Sequence, residues 1–153
     1  MSVTTAEVAE IIRGVSTRVI DPGFRRLSPD QIHEKAPGDL VTDLDRQAEG
    51  ELSRLLTSAG GGIVVGEESV HDDASVLQEL PTAELAWVID PIDGTKNYVN
   101  GSTHHAVMVA EVQHGVTTRS WIWQPQLGHM WIAERGNGLV CDGEPVTPNR
   151  RHS

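Results

Sequence analysis

Apolar residues recur at helical intervals near the start of the chain: Val8, Ile11, Ile12, Val15 and Val19 share one face of a 3.6-residue period. Thr4 stands at the N-cap position, and Glu7, three residues on, completes a capping box. Asp21-Pro22-Gly23 predicts the end of this helix. From Phe24 to Asp39 the chain is polar and carries two prolines, which predicts a loop or flap. Thr42-Asp43-Leu44-Asp45 repeats the capping signature, and Leu44, Ala48, Leu52, Leu55, Leu56 and Ala59 predict a second amphipathic helix, closed by Gly60, Gly61 and Gly62.

Beyond that point the period changes. Ile63-Val64-Val65 is a short strand delivering Gly66-Glu67-Glu68, and a polar connection with room for one helical turn runs from Ser69 to Glu84. Leu85 to Ile89 reads as a buried strand. His104 to Gln113 is apolar on both faces and predicts a central strand. His114-Gly115 turns it back into a strand from Val116 to Trp123, and Pro125 to Gly128 is a further turn. Shorter strands follow at Met130 to Ala133 and Leu139 to Cys141. Two helices followed by an antiparallel meander predict an α+β fold, with the helices packed on a mainly antiparallel sheet.

Composition narrows the partners. At 153 residues the chain is long enough for one domain with a true core. The net charge of −10 argues against nucleic acid or an anionic membrane as the main partner. Arg150 and Arg151 read as part of a frayed tail. Cys141 is the single cysteine, so an intrachain disulfide is excluded and a reducing compartment is compatible. Without an apolar run of membrane-spanning length or a hydrophobic leader, the expected location is the cytoplasm.

The chemistry concentrates in "AWVIDPIDGTKNYVNG", Ala86 to Gly101, where an apolar strand runs into Asp90 and then Asp93. Pro91 fixes its own φ and biases Asp90 towards an extended conformation, so a turn is expected there. Two carboxylates and the Ile92 carbonyl converging on one cation are oxygen ligands of the kind Mg²⁺ prefers. Gly94 lets a phosphate approach the backbone, and Thr95 can open a helix whose free N–H groups face an anion. A solvated turn rich in Asp, Pro and Gly is the plain alternative. The upstream acidic motifs, "GEE" at Gly66 to Glu68 and "DLVTDLD" at Asp39 to Asp45, weigh against it. Adjacent Glu67 and Glu68 repel one another and require a cationic partner. Asp45 also has a purely structural role available, completing the capping box with Thr42.

"DLVTDLD", "GEES" and "WVIDPIDGTKNYVNG", in this order and at these separations, resemble the inositol monophosphatase family of Mg²⁺-dependent, lithium-sensitive phosphatases. The resemblance runs from about Lys35 onward and includes "ERGNGLVCDGEPV", similar to the family's "GxGAFxNG" hairpin. It implies the N-terminal half of the sugar-phosphatase αβαβα sandwich. It also implies Glu67, Asp90 and the Ile92 carbonyl as ligands of a first metal, with Asp90 bridging to a second shared with Asp93. Glu67 and Thr95 would position the attacking water with Asp45 in support, and Asp93, Gly94 and Thr95 would contact the phosphate. Lys35 resembles a family lysine near the flap. The implied reaction is attack of a metal-activated water on a phosphate monoester, in-line, without a phosphorylated residue. The substrate class is a small sugar-alcohol phosphate such as inositol monophosphate, with histidinol phosphate and nucleotide 3′-phosphate as alternatives.

Length is the main departure from the family pattern. The "WDxAAG" motif of the family's second half, whose Asp completes the second metal site, has no match here; after Asp93 the only aspartate is Asp142, in an expected hairpin turn. Residues 1–153 are therefore expected to form the N-terminal metal-binding domain, with the C-terminal domain absent. A sheet built to pack against that domain would be left uncovered, which predicts homo-oligomerisation or self-association. Two rivals stand beside the family reading. Haloacid-dehalogenase-type phosphatases carry "DxDGT" with a phosphorylated first Asp, one residue shorter than the spacing here. A truncated, inactive metal-binding module is the other. Trp121, Trp123 and Trp131 are expected to pack, His104 and His105 to take a strand-start or surface role rather than ligate Mg²⁺, and Cys141 to be a buried small hydrophobe.

Overall fold

The computed structural model describes residues 2–147; the tail reading for Arg150 and Arg151 lies outside them. Helix α1 (Thr5–Val15) opens on Thr4, whose side chain accepts from the Glu7 backbone, and continues through a π-helical turn, Ser16–Ile20. The segment expected as a loop folds instead into a hairpin, β1 (Ile32–Ala36) and β2 (Asp39–Thr42). Pro37 and Gly38, with Gly38 at φ +76°, supply the turn that a polar reading alone concealed. Thr42 then caps α2 (Asp43–Gly60) in the expected capping box with Asp45.

The remaining elements are β3 (Ile63–Gly66), α3 (Glu67–Asp72), β4 (Ala86–Asp93), α4 (Thr95–Val99), β5 (Ala106–Gln113), β6 (Val116–Gln124), β7 (His129–Glu134), β8 (Gly138–Cys141) and β9 (Glu144–Pro145). Strands β3 to β9 form one seven-stranded sheet in sequence order, antiparallel throughout except for the parallel β3–β4 pair. The α+β architecture with a mainly antiparallel sheet is what the periodicity predicts.

One face of the sheet carries the core. Val8, Ile12 and Val15 of α1 and Leu52 and Leu56 of α2 are buried against Trp87, Ile89, Val107, Val109 and Trp121. The Trp87 and Trp121 rings are fully buried, 6.1 Å between centroids, and truncating either to alanine is expected to cost about 3–5 kcal/mol. Arg119 ties α1 to the sheet: it pairs with buried Glu111 at 2.5 Å and donates to the Val3 carbonyl and the Thr5 hydroxyl, each at 3.0 Å.

Alternation places Val88, Met108, Ala110 and Ile122 on the opposite face, which α1 and α2 do not cover. With Val70 and Leu77 they line a groove of about 580 Å³. Trp131 pairs with Ile122 and so lies on this second face, not with Trp121 and Trp123. Cys141, expected to be buried, is half-exposed because β8 lies near the sheet edge, with only the two-residue β9 beyond it among the described residues.

Candidate metal centre and phosphate site

The strand that carries Asp90 does not end there. It continues through Asp93, and Pro91 is taken up in a bulge rather than in a terminal turn. In a regular strand, residues three apart face opposite sides. Here Asp90 pairs with Met108 and Asp93 with Ala106, so three steps on β4 match two on β5. The extra residue of the bulge returns both carboxylates to one side. Pro91, which lacks a donor for the ladder, sits where the ladder is interrupted.

Glu67 reaches the same place from another direction. Parallel pairing sets Gly66 opposite Ile89, so the chain leaving β3 starts α3 beside Asp90. Glu49 of α2 fixes that start by accepting from the Glu68 and Ser69 backbone N–H groups at 2.8 and 3.0 Å. The sequence reading missed Glu49. Its position, four residues after Asp45 on one helix, puts the two acids on the same face beside Ala48 and Leu52 and could have flagged it.

Glu67, Asp90, Ile92, Asp93, Gly94 and Thr95 line one cavity of about 230 Å³, closed by the hairpin tip (Gly38, Asp39, Leu40) and Lys96. Every residue expected to bind metal or phosphate is thus brought together. Asp45 lies behind them, fully buried, and reaches the site through Thr95, whose hydroxyl lies 2.9 Å from Asp45 Oδ1 and 3.0 Å from the Ile92 carbonyl. Asp45 Oδ2 accepts from the Thr42 N–H at 2.8 Å and the Thr42 hydroxyl at 2.6 Å, so capping and site support are one role. Lys35, on β1, places a nearly buried ammonium 3.4 Å from Glu67 and 3.3 Å from Glu68. It is the cationic partner that the adjacent glutamates require.

The electrostatics call for a cation. Burial, then the neighbouring Glu67 and Asp93, push the Asp90 carboxyl up to about 9. Asp90 Oδ1 is buried and has no hydrogen-bond partner among the described residues. Burial likewise raises Asp45, against the opposing hydrogen bonds from Thr42 and Thr95. Asp90, flanked by Glu67 and Asp93 and with its buried Oδ1 unpartnered, shares the cavity with Ile92, and these oxygen donors are of the kind that a hard divalent ion such as Mg²⁺ takes.

At the α4 end of the cavity, Gly94 adopts φ +81° at the mouth of α4, and a Cβ there would lie 3.0 Å from the His104 carbonyl. The first N–H groups of α4 have no partner within that helix. His105 is buried against Phe24 and Tyr98, with its Nδ1 3.0 Å from the Ser102 carbonyl, so it packs in the core just before β5 rather than lying on the surface. Asp142 lies across the sheet, bonded to His129 and to the Met130 N–H.

Comparison with known structures places the fold first. The chain superposes with a TM-score of 0.75 and 21% identity on a crystal structure described as an IMPase/NADP phosphatase complexed with Mg²⁺ and phosphate, covering 90% of this chain and 50% of that one. Residues 2–153 match the inositol monophosphatase family, and the chain belongs to that family. It is 32% identical over 148 residues to the inositol-1-monophosphatase ImpA of Mycolicibacterium smegmatis, covering 97% of this chain and 50% of that protein. It is 33% identical over 116 residues to the Nus factor SuhB of Vibrio cholerae, covering 76% of this chain and 42% of that protein. The chain therefore spans about half the length of the curated relatives it matches. Among the described residues, no helix is long and apolar enough to cross a membrane.

Proposed function

We propose that this chain is the metal-binding half of a Mg²⁺-dependent phosphatase that hydrolyses a small sugar-alcohol phosphate such as inositol monophosphate. The observation that carries the reading is the single cavity joining Glu67, Asp90, Ile92, Asp93, Gly94 and Thr95, with Asp45 buried directly behind. Glu67, Asp90, the Ile92 carbonyl and Asp93 would hold the metal. Bound there, Mg²⁺ supplies positive charge for the phosphoryl oxygens and makes a water more acidic.

The chain's own groups do the positioning. A Thr95 hydroxyl donating to Asp45 turns its lone pair towards a water and orients it, with Glu67 as a second acceptor. Asp45 keeps that hydroxyl aimed because its other oxygen is pinned by Thr42. The N–H groups of Gly94 and Thr95 face an entering phosphate, and Asp93 contacts it from the same bulge. None of these roles requires a phosphorylated aspartate.

Residues 1–153 are assigned in this reading to the N-terminal metal-binding domain of the fold, with the cytoplasm as the proposed location. Self-association through the uncovered sheet face goes with it. Histidinol phosphate and nucleotide 3′-phosphate are alternative substrates. A second reading, a metal-binding module without turnover, has support of its own in the SuhB relative named as a Nus factor. Phosphate release from these three substrate classes, measured on the 153-residue chain with and without Mg²⁺, separates the readings. Mg²⁺-dependent release supports the phosphatase. Metal binding without release supports the module.

A further inference from the structure

The sheet carries a second group of ligand atoms, far from the carboxylate cavity. Antiparallel register sets Asp90 opposite Met108, Met108 opposite Ile122, Ile122 opposite Trp131 and Trp131 opposite Cys141. These five residues form one row on one face of the sheet. Four strand spacings separate its ends, about 19 Å. His129, two residues before Trp131 on β7, shares that face, so it lies beside Cys141. Asp142 leaves β8 with φ +50°, which swings its carboxylate between the two.

The result is compact. His129 Nδ1 lies 2.7 Å from Asp142 Oδ2, Cys141 Sγ lies 3.8 Å from the same oxygen, and all three ligand atoms fall within 4.8 Å of one another. Tetrahedral bonds of roughly 2.0–2.3 Å require ligand separations of about 3.4 Å, so small side-chain rotations suffice. The support is built in. Asp142 Oδ1 accepts from the Met130 N–H at 2.8 Å, while the Asp142 N–H donates to the Met130 carbonyl at 2.9 Å. The carboxylate thereby continues the β7–β8 ladder and is held in place. His129 packs edge-on to Trp131, with centroids 6.4 Å apart.

We propose that His129, Cys141 and Asp142 form a binding site for a transition-metal dication of the Zn²⁺ type, separate from the Mg²⁺ cavity. Imidazole, thiolate and a single carboxylate are a donor set that suits Zn²⁺ or Co²⁺ and disfavours Mg²⁺. Both His129 and Asp142 are about half exposed, which leaves a fourth position for water or a ligand from another chain. On binding, the Cys141 thiol gives its proton to solvent, and His129 carries its remaining proton on Nε2 so that Nδ1 can donate its lone pair. Proton release on metal uptake is therefore expected at neutral pH.

The test uses the whole 153-residue chain in excess Mg²⁺, with Co²⁺ as the spectroscopic probe and Zn²⁺ as competitor. One equivalent of Co²⁺ should give thiolate-to-metal absorption with tetrahedral visible bands, bleached by one equivalent of Zn²⁺. His129→Ala and Asp142→Asn should each weaken Zn²⁺ affinity about tenfold or more, and the amide introduced by Asp142→Asn still offers an oxygen to the Met130 N–H. Asp90→Asn should leave the affinity unchanged. Circular dichroism checks that each variant is folded. Zn²⁺ affinity indifferent to both His129→Ala and Asp142→Asn, or lost in Asp90→Asn, would overturn the proposal.

Discussion

The Thr95 hydroxyl lies 2.9 Å from Asp45 Oδ1, joining the residue that opens α4 to one in the first turn of α2, fifty positions earlier. Through this contact a helix cap becomes part of the site. Asp45 is fully buried and receives two further donors from Thr42, so it holds together the hairpin, α2 and the α4 end of the cavity. Asp45→Ala leaves those donors without an acceptor and should destabilise the fold by about 2–4 kcal/mol. Asp45→Asn retains an acceptor oxygen for the Thr42 N–H and should cost about 1 kcal/mol or less. Urea denaturation of the two variants measures both. Equal losses would show that the carboxylate's hydrogen bonds contribute little.

Glu111 and Arg119 predict a specific acid sensitivity. Burial pushes the Glu111 carboxyl up, but the hydrogen bonds from Arg119 and Thr118 and the Arg119 charge outweigh it, and the net result is below the ordinary value. With a depressed native value, the folded state binds fewer protons than the unfolded state as pH falls below the unfolded value near 4.5. The contribution is therefore present above that pH and is lost as pH falls through the native value. Glu111→Gln should lower stability at pH 7 by roughly 1.5–3 kcal/mol, as the loss of charge-assisted hydrogen bonds does, and flatten the acid limb of stability against pH. A variant with an unaltered acid limb would contradict this.

The uncovered sheet face predicts association. Val88, Met108, Ala110 and Ile122 line its groove, and Leu77 at the rim is 45% exposed. Contiguous apolar surface of this kind drives self-association in water. Sedimentation velocity should show concentration-dependent oligomers, reduced by Ile122→Lys, which places a charge in the groove. A strict monomer at all concentrations would mean that the face is closed in solution by other means.

Helices α1 and α2 were legible because their caps and apolar periods agree: Thr4 and Thr42 each accept from the residue that sequence spacing assigns to them. The order and pairing of β5 to β8 followed from turn residues between apolar runs. The β1–β2 hairpin was hidden because its strands are polar and mostly exposed, so alternation had no buried face to mark. At the site, residue types named Asp90 and Asp93, yet the reason they share a side is a bulge, a register property of two strands that one strand's sequence does not display. Glu49 escaped for a similar reason: its function lies in the backbone of α3, which only the fold brings near. The His129–Cys141–Asp142 group likewise exists only through register.

That Glu67, Asp90 and Asp93 form a Mg²⁺ site is tested most directly by thermal unfolding. A ligand bound only by the native state at about ten times its Kd stabilises by about 1.4 kcal/mol. For a chain of this size that is a rise in Tm of roughly 3–6 °C. The melting temperature of the 153-residue chain should rise progressively with millimolar Mg²⁺, and Asp90→Asn should abolish the rise. A melting temperature indifferent to Mg²⁺, or an Asp90→Asn variant that responds as the parent does, would contradict the assignment.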